Sequence, residues 1–208
     1  MRLGRLSVAA VPPVIRAVDW TPLAAASVTT IALALLTTPG QPIQVQNLTV
    51  TARMCGVLLG VAAGFAVVDT ADEISAVTPA PRWLRQSIRA LGAFAVAAAV
   101  WAVAVSVMVA RAVTDVDLGI GGLIVEAAFW IITGLSCAAC AVRFQPVRMA
   151  AVAGAAVTLG LAVSTVFDRE RFWPLPQDDQ WQAAHVIWGV GLVVVTTVLL
   201  LTNREVRR

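Results

Sequence analysis

The chain has 208 residues, of which 59% are hydrophobic and only 13% charged. A soluble domain of this length carries about a quarter charged residues, so a chain this apolar has to bury its surface in lipid. At about 20 apolar residues per helical crossing, the length holds about six spans and excludes a separate soluble catalytic domain. The net charge is +3, and all fifteen basic residues are Arg, scattered near span ends. That spacing lacks the stripe that neutralises phosphates and argues against a nucleic-acid partner.

In chain order, residues 1–20 form a cytoplasmic N-terminal segment with Arg2, Arg5 and Arg16, interrupted by Pro12-Pro13. No cleavable signal peptide is evident in it. Six apolar segments follow, at Thr21–Thr38, Leu48–Val68, Ile88–Ala110, Leu118–Val142, Met149–Phe167 and Gln182–Thr202, before a tail at 203–208. Together, 21–202 read as one transmembrane domain, an all-α polytopic helix bundle. Every Pro lies in a connection or at a span end, where a missing N–H costs least.

The second span carries Gly56, Gly60 and Gly64 at four-residue spacing, which puts them on one helix face and lets another backbone approach. This predicts that the span packs inside the bundle or at a dimer seam. The following connection runs from acidic (Asp69, Asp72, Glu73) through Thr78-Pro79-Ala80-Pro81 to basic (Arg82, Arg85, Arg89), with Trp83, Leu84 and Ile88 interleaved. Such a piece is expected to lie along the membrane surface. It reads either as a solvated stop-transfer boundary or as a charged docking element for a cytoplasmic partner.

Glu126 stands inside the fourth span, where a carboxylate is costly and faces a partner or an aqueous cavity. Its readings are a proton or cation site, a structural group paired with Arg111 or Arg53, or an interfacial group. Arg53 is shallow enough to snorkel outward. His185, the only His, lies one turn into the last span. It reads best as an interfacial polar residue with a hydrogen-bond partner, and a lone His excludes bis-His haem and multi-His metal sites within one chain. Cys137 and Cys140 have redox spacing but sit in an apolar helix, where thiols pack as small apolar groups, and no disulfide framework is expected. The last outer connection, Asp168–Trp181, reads as a Pro-stiffened loop whose Trp173 and Trp181 lie in the aromatic belt.

Arg placement sets the orientation. Eleven Arg fall on one side (Arg2, Arg5, Arg16, Arg82, Arg85, Arg89, Arg143, Arg148, Arg204, Arg207, Arg208) and four on the other (Arg53, Arg111, Arg169, Arg171). The richer side is cytoplasmic, which places both termini inside. The all-Arg, Ala- and Val-rich composition points to a bacterial cell membrane.

This layout resembles the permease subunits of exporter-type ATP-binding-cassette (ABC) transporters. More narrowly, it is similar to small actinobacterial membrane proteins identified as components of such transporters. The stretches that carry the resemblance are Phe65–Asp72 (FAVVDTAD), Pro79–Arg85 (PAPRWLR), Leu123–Ala128 (LIVEAA) and Trp181–Trp188 (WQAAHVIW). It implies that the connection holding Asp69, Asp72, Glu73, Arg82, Arg85 and Arg89 docks on a separate cytoplasmic ATPase subunit. It also implies that a second permease chain, identical or related, completes the pathway, and that the N-terminal segment is an amphipathic surface helix. The chain would then be no enzyme and need no cofactor, in keeping with the lack of GxxxxGK[ST], HExxH and GxSxG motifs. The alternatives are a structural or regulatory subunit of a larger membrane complex, a redox enzyme using Cys137 and Cys140, and a secondary transporter using Glu126.

Overall fold

The computed structural model describes residues 15, 18–68, 82–113, 117–144 and 147–203. Most of the N-terminal segment, the 69–81 connection with Asp69, Asp72 and Glu73, the side chains of Arg82 and Arg148, and the Arg of the tail lie outside the description.

Among the described residues the chain is all-helical: α1 (Thr21–Leu36), α2 (Val45–Val67), α3 (Arg82–Val109), α4 (Ile120–Ala141), α5 (Val147–Val166), a single turn α6 (Arg169–Phe172) and α7 (Trp181–Thr202). Five helices are long and apolar enough to cross a membrane. The sixth apolar helix, α1, has 16 residues, about 24 Å at 1.5 Å per residue, against a hydrocarbon core of about 30 Å.

α2 and α4 make the most extensive helix pair and form the centre. α1 and α3 pack on α2, α5 touches both central helices, and α7 packs on α4. The contacts set the directions. Gly56 meets Ala127, Gly60 meets Trp130 and Gly64 meets Gly134, so α2 and α4 run parallel. His185 approaches Gly122, Gly191 approaches Phe129, and Ser136 donates to the Val195 carbonyl at 2.9 Å, so α7 is parallel to both. α1 and α3 run the opposite way, since Thr37 pairs with Thr51 and Trp101 donates to the Ala52 carbonyl. α5 is antiparallel to α4, with Gly154 against Ala138 while Trp173, beyond the far end of α5, lies over Trp130. Thr21 and Thr202 therefore end at the same face. That face is called lower below; the connections 37–44 and 167–180, and residues 110–113 and 117–119, lie at the upper end.

The α2–α4 seam is a backbone-to-backbone contact. A Cβ at Gly60 would overlap the Trp130 carbonyl, and one at Gly134 would overlap the Gly60 carbonyl. Only glycine permits this approach, which replaces side-chain interdigitation with direct van der Waals contact between main chains.

Two arginines close helix ends. A helix leaves its last four carbonyls without partners, and in or near lipid each such group costs several kcal/mol. Arg111 donates to the carbonyls of Ala34, Leu35, Thr37 and Thr38 at 3.0–3.2 Å, covering the upper end of α1. This also holds Thr38 at φ 44°, a left-handed conformation unusual outside glycine. Arg143 donates to the Leu201 and Thr202 carbonyls at the lower end of α7. An isolated parallel bridge between Ile43 and Ala112 ties two upper connections together.

Two elements depart from the sequence reading. α3 is one unbroken helix of 28 residues starting at Arg82, so Arg85 and Arg89 belong to its first turns and not to a separate surface-lying piece. Arg89 is buried at the lower end. α2 begins at Val45, one turn before the expected start, because Gln44 already ends the extended approach to the helix.

Candidate functional site

Three helices bring a charged cluster together beneath the upper end. Arg53 is the ninth residue of α2, Glu126 the seventh of α4 and His185 the fifth of α7. With the helices parallel, these lie about 12, 9 and 6 Å from their respective upper ends, at nearly one level.

Arg53 Nε lies 2.7 Å from Glu126 Oε2, and Arg53 Nη2 lies 2.9 Å from Oε1. This two-pronged geometry is the strongest a guanidinium and a carboxylate can adopt. The Arg53 and Glu126 side chains are only 5% and 1% exposed. The remaining donors of Arg53 reach the 167–180 connection: Nη1 donates to the Trp173 carbonyl at 3.1 Å and Nη2 to the Pro174 carbonyl at 2.8 Å. The guanidinium carbon also lies 5.0 Å from the Trp173 ring centroid and 5.7 Å from that of Trp181, within cation–π range. Arg53 therefore does not snorkel outward, and the partner of Glu126 is Arg53; Arg111 is occupied with α1.

His185 joins the pair. Its Nδ1 lies 2.7 Å from the Trp181 carbonyl and its Nε2 3.0 Å from Glu126 Oε1. The ring fits because Gly122 faces it across the α4–α7 contact, where a Cβ would overlap Nε2. Gly119, at φ 58°, likewise leaves room for the Trp181 indole.

The 167–180 connection folds back over the cluster as a lid. Trp173 stacks on Trp130 with 10° between the planes, and Trp188 packs edge-on or tilted against Phe129, Trp130, Phe172 and Trp173. The indole N–H of Trp173 donates to Thr165 and that of Trp188 to the Phe172 carbonyl. Trp181 and Trp188 are buried. Trp181 and Trp188 thus pack into the bundle, and Trp173 is half-buried against it.

Beside the lid, a lateral groove of about 520 Å³ opens between α2 and α5. Val57, Leu58, Leu159 and Val163 line it, with Arg53, Arg169 and Trp173 also in its wall. A second apolar groove of about 400 Å³ lies between α3 and α4.

Sequence reasoning offered Arg111 or Arg53 as a partner of Glu126 and singled out His185 separately; the structure brings Arg53, Glu126 and His185 into one cluster. It missed Gly122, Trp173 and the carbonyls of Trp173 and Pro174. The run Gly119-Ile120-Gly121-Gly122 at a helix start was the available signal. Gly56, Gly60 and Gly64 lie along the α4 seam. Cys137 and Cys140 stand as free thiols on α4, apart from the cluster. Among the described residues no group of three or more His, Cys, Asp and Glu is arranged to hold a metal ion.

No protein-family model, curated protein or solved structure matches this chain.

Proposed function

We propose that the chain is a permease subunit of an ATP-driven exporter in the bacterial plasma membrane. In this reading α1 also crosses the bilayer, giving six spans; both termini are cytoplasmic and the upper end faces outward. The chain supplies no catalytic residue. A separate cytoplasmic ATPase docks on the connection containing Asp69, Asp72 and Glu73 and on the lower turns of α3 around Arg85.

The observation that supports this reading best is a closed axis with open flanks. Gly60 and Gly134 bring the two central backbones into contact, leaving no room for a solute between them. The faces of α3, α5 and α7 are instead largely exposed and apolar, with Leu91, Val103, Val157, Val163, Val190 and Val193 uncovered. A pathway built by this protein would run along such a flank and be completed by a second permease chain.

Affinity purification from the native membrane tests the proposal. An ATPase subunit should copurify, and replacing Asp69, Asp72 and Glu73 by Asn or Gln should lower its recovery severalfold while the bundle stays folded. Recovery of no ATPase would sink it. The same closed axis also favours a second reading, a structural or regulatory subunit of a larger complex. Under that reading, flank substitutions disrupt assembly and leave transport by the remaining complex intact.

A further inference from the structure

We propose that Glu126 and His185 form a proton-binding site, with one exchangeable proton held between His185 Nε2 and Glu126 Oε1, and that this proton latches the 167–180 lid onto the bundle. The inference does not depend on the permease reading.

The geometry demands a proton there. The Trp181 carbonyl 2.7 Å from Nδ1 is purely an acceptor, so Nδ1 carries the N–H. In a neutral ring Nε2 is then a bare lone pair. It points at Glu126 Oε1, 3.0 Å away, and an ionised carboxylate is likewise only an acceptor. Nε2 is buried and, among the described residues, has no other hydrogen-bond partner. Two acceptors in a dry site at that distance repel unless a proton lies between them.

The surroundings both hold that proton and let it go. With it, Arg53, Glu126 and His185 together carry one positive charge. The carbonyls of Trp173, Pro174 and Trp181 and the faces of Trp173 and Trp181 turn their negative ends toward this charge. The amino ends of α2, α4 and α7 all lie above the cluster, at the upper end, and oppose it, as does Arg169, which shares the groove wall with Arg53. Asp178 of the lid accepts a hydrogen bond from the Leu175 N–H.

Proton and lid are linked because the same groups serve both. Arg53 holds the lid by two carbonyls and Glu126 by two oxygens, and His185 is anchored through Trp181 at the lid's end. Loss of the proton sets Nε2 against Oε1, pushes the first turn of α7 from α4 and loosens the lid. The buried site in turn exchanges its proton only when the lid lifts.

His185 is the only histidine, so ¹⁵N-histidine labelling of the full chain in lipid nanodiscs yields two ring signals. At pH 7 the fraction of rings protonated on both nitrogens should be severalfold larger in the wild type than in Glu126→Gln, whose amide donates to a neutral Nε2. Raising the pH should speed amide exchange across 168–184, relative to α4, in the wild type. In His185→Gln, which donates permanently to Glu126, that relative rate should not change with pH. Equal doubly protonated fractions, a neutral ring carrying its proton on Nε2, or lid exchange that follows pH equally in His185→Gln would overturn the proposal. The His185→Gln comparison decides if Glu126→Gln does not fold.

Discussion

A guanidinium and a carboxylate buried together illustrate how unequal single and paired changes are. Removing one partner leaves an uncompensated charge in a low-dielectric site, at a cost of about 3–5 kcal/mol, whereas replacing both by apolar residues is often nearly neutral. Arg53→Leu and Glu126→Leu are each expected to lower stability by about that amount. The double variant should recover most of the loss, as read from unfolding in mixed micelles. A double variant as unstable as the sum of the singles would show that the pair is not coupled. Glu126 stood out in the sequence because a carboxylate inside an apolar run is costly wherever it lies. Its partner was legible only as one of two arginines. Arg53 and Arg111 both lay on the same side by residue count, and a separation of 73 positions carries no register. Only the packing of α2 on α4 chose between them, while the carbonyls of α1 claimed Arg111.

Helix positions along the chain were readable to within a turn or so, because hydrophobic length and Pro placement are local properties. The exception is the start of α3. Its Arg, Trp and Leu suited a surface-lying segment, yet their spacing also suits one continuous helix, and burial of Arg89 accompanies the second solution. The glycine spacing of α2 announced a close approach without naming its partner; Gly134 on α4 supplies the reciprocal gap. Gly60→Ala is therefore expected to destabilise the bundle by about 1–3 kcal/mol, because a backbone carbonyl has nowhere to move. Gly160→Ala, where no described residue lies within 4 Å, should be neutral or gain up to about 1 kcal/mol of helix propensity. Equal effects from both substitutions in thermal unfolding would refute a glycine-dependent seam. Arg111→Ala is expected to cost about 1–3 kcal/mol through the uncovered carbonyls, with faster amide exchange confined to the upper turn of α1. Unchanged exchange there would mean that another group covers them.

At the scale of the molecule, six apolar helices of alternating direction return the chain to the face from which α1 starts. With α1 crossing the bilayer, reporter tags at Met1 and Arg208 should both be protected in intact cells and both reached after permeabilisation, while a Cys placed at Gln177 should react with an impermeant reagent from outside. Tags on opposite sides would exclude the six-span arrangement. The sequence by itself determined that this chain is a helical membrane protein, roughly where its helices run, and which polar residues had to find partners. Those conclusions follow from composition and periodicity, which need no knowledge of distant neighbours. The tertiary structure alone decided that Arg53, Glu126 and His185 meet, that Trp173 covers them, and that the central seam leaves no path through the axis. Each of these depends on which helix faces overlap, a property of three-dimensional packing that local spacing does not encode.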